Sequence, residues 1–195
     1  GGAIIPTALI IHQQQQTINS AFFVPETEKQ TGKTNITKGV WQWPYETQPY
    51  YYSCFKEDCR KGHTGIDLGL GGGTPILAVT DGVVVSAGTN TSTFGIYAII
   101  DHGGNQYVLY AHLRDRFVNP GDEVEAGQQI GEEGTTGNAS EGNHLHLGLS
   151  SSPELTSFMY GSNTVDDPCL YIEGCDCDKQ TVNTRCLDPG HVGPQ

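Results

Sequence analysis

The chain has 195 residues, with ten basic against 22 acidic side chains and a net charge of −12. Its 26 glycines, ten prolines and 16% charged residues exclude a helical bundle or coiled coil, and its 36% hydrophobic content excludes a wholly disordered chain. The lack of clustered Lys and Arg excludes a generic nucleic-acid-binding surface, and no apolar run approaches the roughly 20 residues of a membrane-spanning helix.

Residues 1–39 are polar and irregular, with a Gln run at 13–16, and read as an extended arm or linker. The apolar stretch at residues 3–11 contains Pro6 and has no basic residues before it, so it is not a complete signal peptide. The stump of a removed leader or membrane anchor fits it, and so does a strand docked on a partner. The arm is therefore a candidate for a membrane tether and for holding assembly partners. An aromatic segment follows, with Trp41, Trp43, Tyr45, Tyr50, Tyr51 and Tyr52, and reads as packing on the domain.

From Gly62 to Ser150 the pattern is β throughout. Gly82-Val83-Val84-Val85-Ser86-Ala87 is short and β-branched. Ile96-Tyr97-Ala98-Ile99-Ile100, the turn cluster at 101–105 and the return at 106–113 form a hairpin pattern. In that turn His102 reads as solvent-exposed; Tyr97 reads as strand packing. Asn119-Pro120-Gly121-Asp122 is a turn, residues 129–131 a short strand, and 144–149 alternates cleanly. Short strands with Gly-rich turns predict an all-β antiparallel sandwich or barrel-like domain. The predicted organisation is an arm at 1–39, a domain at 40–168 and a Cys-rich tail at 169–195. His12 and His191 fall in arm and tail with no partner in view.

Six cysteines, grouped as Cys54 and Cys59 and then Cys169, Cys175, Cys177 and Cys186, suit disulfides in an oxidising compartment. Cys54 and Cys59 are expected to close a small loop. A four-thiolate zinc is the rival reading for the tail, but paired Cys-x-x-Cys knuckles are missing.

The chemistry lies in three histidine-bearing pieces. On a strand, His144 and His146 point one way and Leu145, Leu147 and Leu149 the other. His63 and Asp67 would stand about 13 Å apart on a straight strand and could not share a metal. A bend or bulge at Gly65 would bring them together. His112 is expected to share a strand face with Val108 and Tyr110. Together these predict His63, Asp67 and one of His144 and His146 as ligands of a catalytic zinc, with a fourth position open to water. Zinc lowers the pKa of such a water to about 7. The remaining histidines are left as base and electrostatic stabiliser.

The stretch from about 62 to 150 resembles the lysostaphin/LytM-type zinc metallopeptidases, the M23 family of peptidoglycan endopeptidases. The resemblance rests on His63-Thr64-Gly65-Ile66-Asp67, Asp101-His102-Gly103, Tyr110-Ala111-His112-Leu113, Gly134-Thr135-Thr136-Gly137 and His144-Leu145-His146, in the family's order. It implies an M23-like β domain, zinc held by His63, Asp67 and His146, and His112 and His144 lining the site as catalytic residues. It also implies peptidoglycan peptide stems or cross-bridges as substrate, and an extracellular, cell-surface, periplasmic or virion-associated place of action. The alternative is a structural or targeting subunit of a surface or phage assembly. The acidic balance suits delivery by a tether or larger assembly better than free diffusion to an anionic wall.

Overall fold

Short β-branched runs punctuated by Gly and Pro cannot sustain a helix, and they pair instead. The computed structural model describes residues 40–55, 62–140, 142–159 and 162–177. Within them lie β1 (Tyr50–Ser53), β2 (Gly65–Gly69), β3 (Pro75–Leu77), β4 (Gly82–Asn90), β5 (Gly95–Asp101) and β6 (Tyr107–Leu113). They are followed by β7 (Asp115–Arg116), β8 (Glu123–Val124), β9 (Gln129–Glu132), β10 (Leu145–Ser150) and β11 (Val165–Asp166). Described helical structure is confined to two 3-10 turns, Leu155–Phe158 and Pro168–Leu170. The all-β antiparallel expectation is met. The arm at 1–39, His12 and His191 lie outside the described residues.

One sheet runs β1-β2-β10-β6-β5-β4-β8, with β11 also on β10, and a second runs β3-β9-β7. Every strand pair is antiparallel. Alternation gives the large sheet two apolar faces. One buries Ile66, Leu68, Val108, Tyr110, Leu145, Leu147 and Leu149 with Ile76 and Ile130 of the small sheet. Trp41 and Tyr45 join that core with Trp43 and Tyr51 packed against it, as expected, while Tyr50 is exposed. The other face carries Phe94, Ile99, Leu109, Ala111 and Phe158.

The hairpin turn corrects one expectation. His102 is 3% exposed, not solvent-facing. Its Nδ1 donates to the Asp81 carbonyl at 2.8 Å, its Nε2 meets the Tyr110 hydroxyl at 3.3 Å, and its ring packs 5.6 Å from that of Trp41. The Tyr110 hydroxyl in turn accepts from Val79 N–H at 3.0 Å. A turn residue thus serves as the polar plug of the core.

The cysteines correct another. Cys54 pairs with Cys177, 123 positions away, and Cys169 pairs with Cys175. Cys54 therefore does not close a loop with Cys59. The tail lies against β1, where Asp176 N–H donates to the Tyr51 hydroxyl at 3.2 Å, and this brings Cys177 to the end of the strand. Sequence proximity lost to tertiary proximity.

Burial pushes His102 down to about 4, against a weaker upward pull from its bond to Asp81. A depressed imidazole contributes stability fully above its unfolded value near 6.5 and loses it as the pH falls towards 4. The full contribution is about 3 kcal/mol. Urea melts of the wild type and His102→Gln should show the wild type's advantage shrinking between pH 7 and pH 4. An advantage that stays constant over that range would contradict this account.

Candidate metal centre

Three adjacent strands carry the site. In the sheet order β2-β10-β6, His146 lies in register with Asp67 on one side and Ala111 on the other. Side chains directly across a ladder stand about 4.5–5.5 Å apart at Cβ, so His146 and Asp67 meet without any loop rearrangement. His144 lies just ahead of β10, where its N–H donates to the Gly134 carbonyl at 3.0 Å. The leucines of β10 face the core as expected, and both histidines face away from it towards Asp67.

His63 and Asp67 do come together, at 3.2 Å between Nε2 and Oδ1. The turn lies at Gly62, whose φ is +81°, ahead of β2, and not at Gly65. Gly65 is already in regular register with Gly148. Glycine is needed there for close approach, because a Cβ would come within 2.9 Å of His146 Cε1.

His112 departs from its expected face. Between the pairs Ala98↔Tyr110 and Ile96↔Leu113, β6 has one more residue than β5. This bulge falls at His112, whose φ is +62°. Alternation slips there, so Tyr110 and Leu113 enter the same core while His112 turns to the face of Leu109 and Ala111. The ring of His112 then sits 4.7 Å from that of His144 and 6.0 Å from that of His146. A left-handed backbone at a non-glycine residue beside a cleft is the kind of strain that function retains.

His63 Nε2, Asp67 Oδ1 and His146 Nδ1 lie 2.9–3.2 Å from one another. Tetrahedral coordination with bonds of about 2.0–2.1 Å has ligand–ligand edges of about 3.3 Å, so the three atoms fit one face of a zinc polyhedron. The proton inventory agrees. His63 Nδ1 lies 3.0 Å from the Cys54 carbonyl, which can only accept, so Nδ1 carries the hydrogen. Nε2, turned towards Asp67 and His146, is then the nitrogen that can ligate a cation. Two imidazoles and a carboxylate are also a donor set that suits zinc.

His112 and His144 are set the same way. His112 Nδ1 donates to the Thr136 carbonyl at 2.8 Å, and His144 Nδ1 donates to the Gly142 carbonyl at 2.9 Å. Each carbonyl fixes a hydrogen on Nδ1 and leaves Nε2 as the ring's second nitrogen for the site. His144 Nε2 is buried with no hydrogen-bond partner among the described residues and stands 3.8 Å from Asp67 Oδ1. Burial first, then the neighbouring His144 and His146, push His112 down to about 3, so it is neutral at pH 7. Burial would raise the Asp67 carboxyl, but bonds from His146 and His63 outweigh it and hold the group well below the usual carboxylate range.

A cleft of about 450 Å³ opens over His63, His112 and His146, walled by Phe94, Phe158, Met159 and Ala139, while His144 and Asp67 lie beneath its lining. Sequence reading missed these wall residues and the orienting carbonyls of Cys54, Thr136 and Gly142. A backbone carbonyl has no residue signature. The only available hint was Gly137 after Thr136. Gly137 has a φ of +86° and lies against the backbone of Gly95, leaving no room for a Cβ.

Comparison with known proteins assigns this arrangement to a class. The sequence profile of peptidase family M23 matches residues 61–156. The chain is 40% identical over 87 residues to the peptidoglycan DD-endopeptidase ShyA of Vibrio cholerae, covering 45% of this chain and 20% of that one. It is 33% identical over 114 residues to the murein hydrolase activator NlpD of Escherichia coli, covering 58% and 29%. The catalytic domain of the prophage-encoded M23 protein EnpA from Enterococcus faecalis, solved as a mutant, superposes with a TM-score of 0.57 at 27% identity. That match covers 68% of this chain and 98% of the other. Residues 61–156, which hold the metal-ligand triangle, thus form a peptidase family M23 domain. The chain spans less than a third of the length of either curated relative.

Gly137→Ala should lower stability by about 1–3 kcal/mol and displace the Thr136 carbonyl from His112. Imidazole nitrogen shifts of His112 read that displacement. Unchanged shifts with unchanged stability would refute the role given to this close approach.

Proposed function

We propose that the chain is a zinc-dependent endopeptidase that hydrolyses peptide stems or cross-links of peptidoglycan. The observation that carries this reading is the convergence of His63, Asp67 and His146 beside the imidazoles of His112 and His144. His63, Asp67 and His146 would hold the metal. Bound zinc would supply Lewis-acid polarisation and a lowered pKa for water.

The chain's own groups do the rest. His112 Nε2 is placed to accept a proton, because burial keeps the ring neutral and the Thr136 carbonyl fixes its tautomer. The proton that His112 takes from the attacking water passes to the leaving amine, and His144, beside Asp67, would with a hydrogen on Nε2 donate to the developing oxyanion. The apolar walls exclude water from the peptide and leave it few competing polar partners. Peptidoglycan as substrate is supported by the family and by the name of the ShyA relative. The disulfides support an extracytoplasmic place of action. Within this reading, residues 40–168 are the peptidase domain, 169–195 a stapled tail, and 1–39 the tether or docking arm. An activator of a separate hydrolase is the second reading, favoured by the match to NlpD.

Purified peptidoglycan incubated with the zinc-loaded protein alone should release peptides cleaved within stems or cross-links, read by mass spectrometry. His112→Ala should cut that release by roughly 10²–10⁴-fold while zinc content stays at about one per chain. No release by wild type carrying stoichiometric zinc would favour the activator. Loss of zinc in His112→Ala would remove its separate catalytic role.

A further inference from the structure

The geometry points to a second task for the Cys54–Cys177 disulfide. We infer that it is a positioning device for the metal ligand His63, acting through the backbone of Ser53 and Cys54. This inference rests on the reading of His63 as a zinc ligand.

The argument starts at β1. In the sheet order β1 is terminal, and among the described residues its strand partner is β2. Its register slips between Tyr51 and Ser53. Terminal strands with an irregular end open more readily than central ones. Yet the last residue of β1 and the one after it hold the site. Ser53 Oγ lies 3.2 Å from His63 Nδ1, and the Cys54 carbonyl lies 3.0 Å from the same nitrogen. The carbonyl dictates which nitrogen carries the hydrogen and therefore which one faces Asp67 and His146. Outer groups of this kind set ligand tautomer and ring orientation.

The tail secures that end of β1. Cys177 is bonded to Cys54 itself. Two positions earlier, Cys175 Sγ accepts from the Tyr51 hydroxyl at 3.2 Å, and Asp176 N–H donates to the same hydroxyl. The tail is itself anchored. Cys175 is bonded to Cys169, Trp41 N–H donates to the Tyr171 carbonyl at 2.8 Å, and Glu173 N–H donates to the Trp41 carbonyl at 2.8 Å. A covalent path therefore runs from the anchored tail, through Cys177 and Cys54, to the atom that orients His63. The family motif does not contain this device. Ser53, Cys54 and Cys177 lie outside the matched residues 61–156.

The test compares Zn²⁺ affinity, by competition with a chromophoric chelator, in the whole chain and its variants. Cys54→Ser/Cys177→Ser should bind zinc roughly 10–100-fold more weakly, and Ser53→Ala roughly tenfold more weakly. Cys169→Ser/Cys175→Ser, which removes the other described disulfide, should lose less than Cys54→Ser/Cys177→Ser. Nitrogen-15 spectra of the metal-free proteins supply a second readout. His63 should be a single Nδ1–H tautomer in the wild type and a mixture in Cys54→Ser/Cys177→Ser. Wild-type affinity and an unmixed tautomer in folded Cys54→Ser/Cys177→Ser would overturn the inference. If that variant does not fold, Ser53→Ala decides, and wild-type affinity there overturns it. A wild type that binds no zinc at all would instead overturn the reading of the site.

Discussion

A carboxylate sealed from solvent has to be met by hydrogen-bond donors or cations, and Asp67 is such a group. It is fully buried at the centre of β2. An unpaired charge there would cost far more than one strand pair contributes. Two imidazoles, from His146 across the ladder and His63 ahead of the strand, close on one of its oxygens. The rest of the site is arranged around that triangle. The neighbouring leucines of β10 bury the opposite side of the strand and fix which way the histidines face.

The sheet supplies position, and backbone carbonyls supply chemical state. Three of the site's histidines have Nδ1 against a carbonyl, from Cys54, Thr136 and Gly142. Because a carbonyl never donates, each contact settles a tautomer without any titratable partner. The backbone therefore fixes which nitrogen of each ring carries a hydrogen towards the loop. The carbonyls come from two connections, β1–β2 for Cys54 and β9–β10 for Thr136 and Gly142, which ties the chemistry to loop placement. The Thr136 carbonyl is held by the close approach of Gly137 to Gly95, and the Cys54 carbonyl lies beside a disulfide.

Much of this was legible in the sequence. The alternation of His144 to Leu149 gave both the strand and the orientation of its two faces. The His63–Asp67 spacing demanded a bend, and glycine at 65 marked the neighbourhood, although the turn falls at Gly62. What could not be read was whatever breaks a period or acts at long range. The bulge at His112 moves that side chain to the opposite face, and no residue in Tyr110-Ala111-His112-Leu113 announces it. His102 looks exposed because turns usually are, yet its two nitrogens complete a chain of hydrogen bonds to Asp81 and Tyr110. The partner of Cys54 was misjudged because spacing carries no information on which loop the tail will lie against.

The central claim is that one zinc ion is held by His63, Asp67 and His146 with a position left to solvent. Zinc K-edge X-ray absorption of the purified, zinc-loaded protein tests it most directly. The account predicts a shell of nitrogen and oxygen donors at about 2.0–2.1 Å, two of them imidazoles, with no sulfur. In Asp67→Ala that first shell should be lost. Sulfur donors at about 2.3 Å, or an unchanged shell in Asp67→Ala, would contradict it.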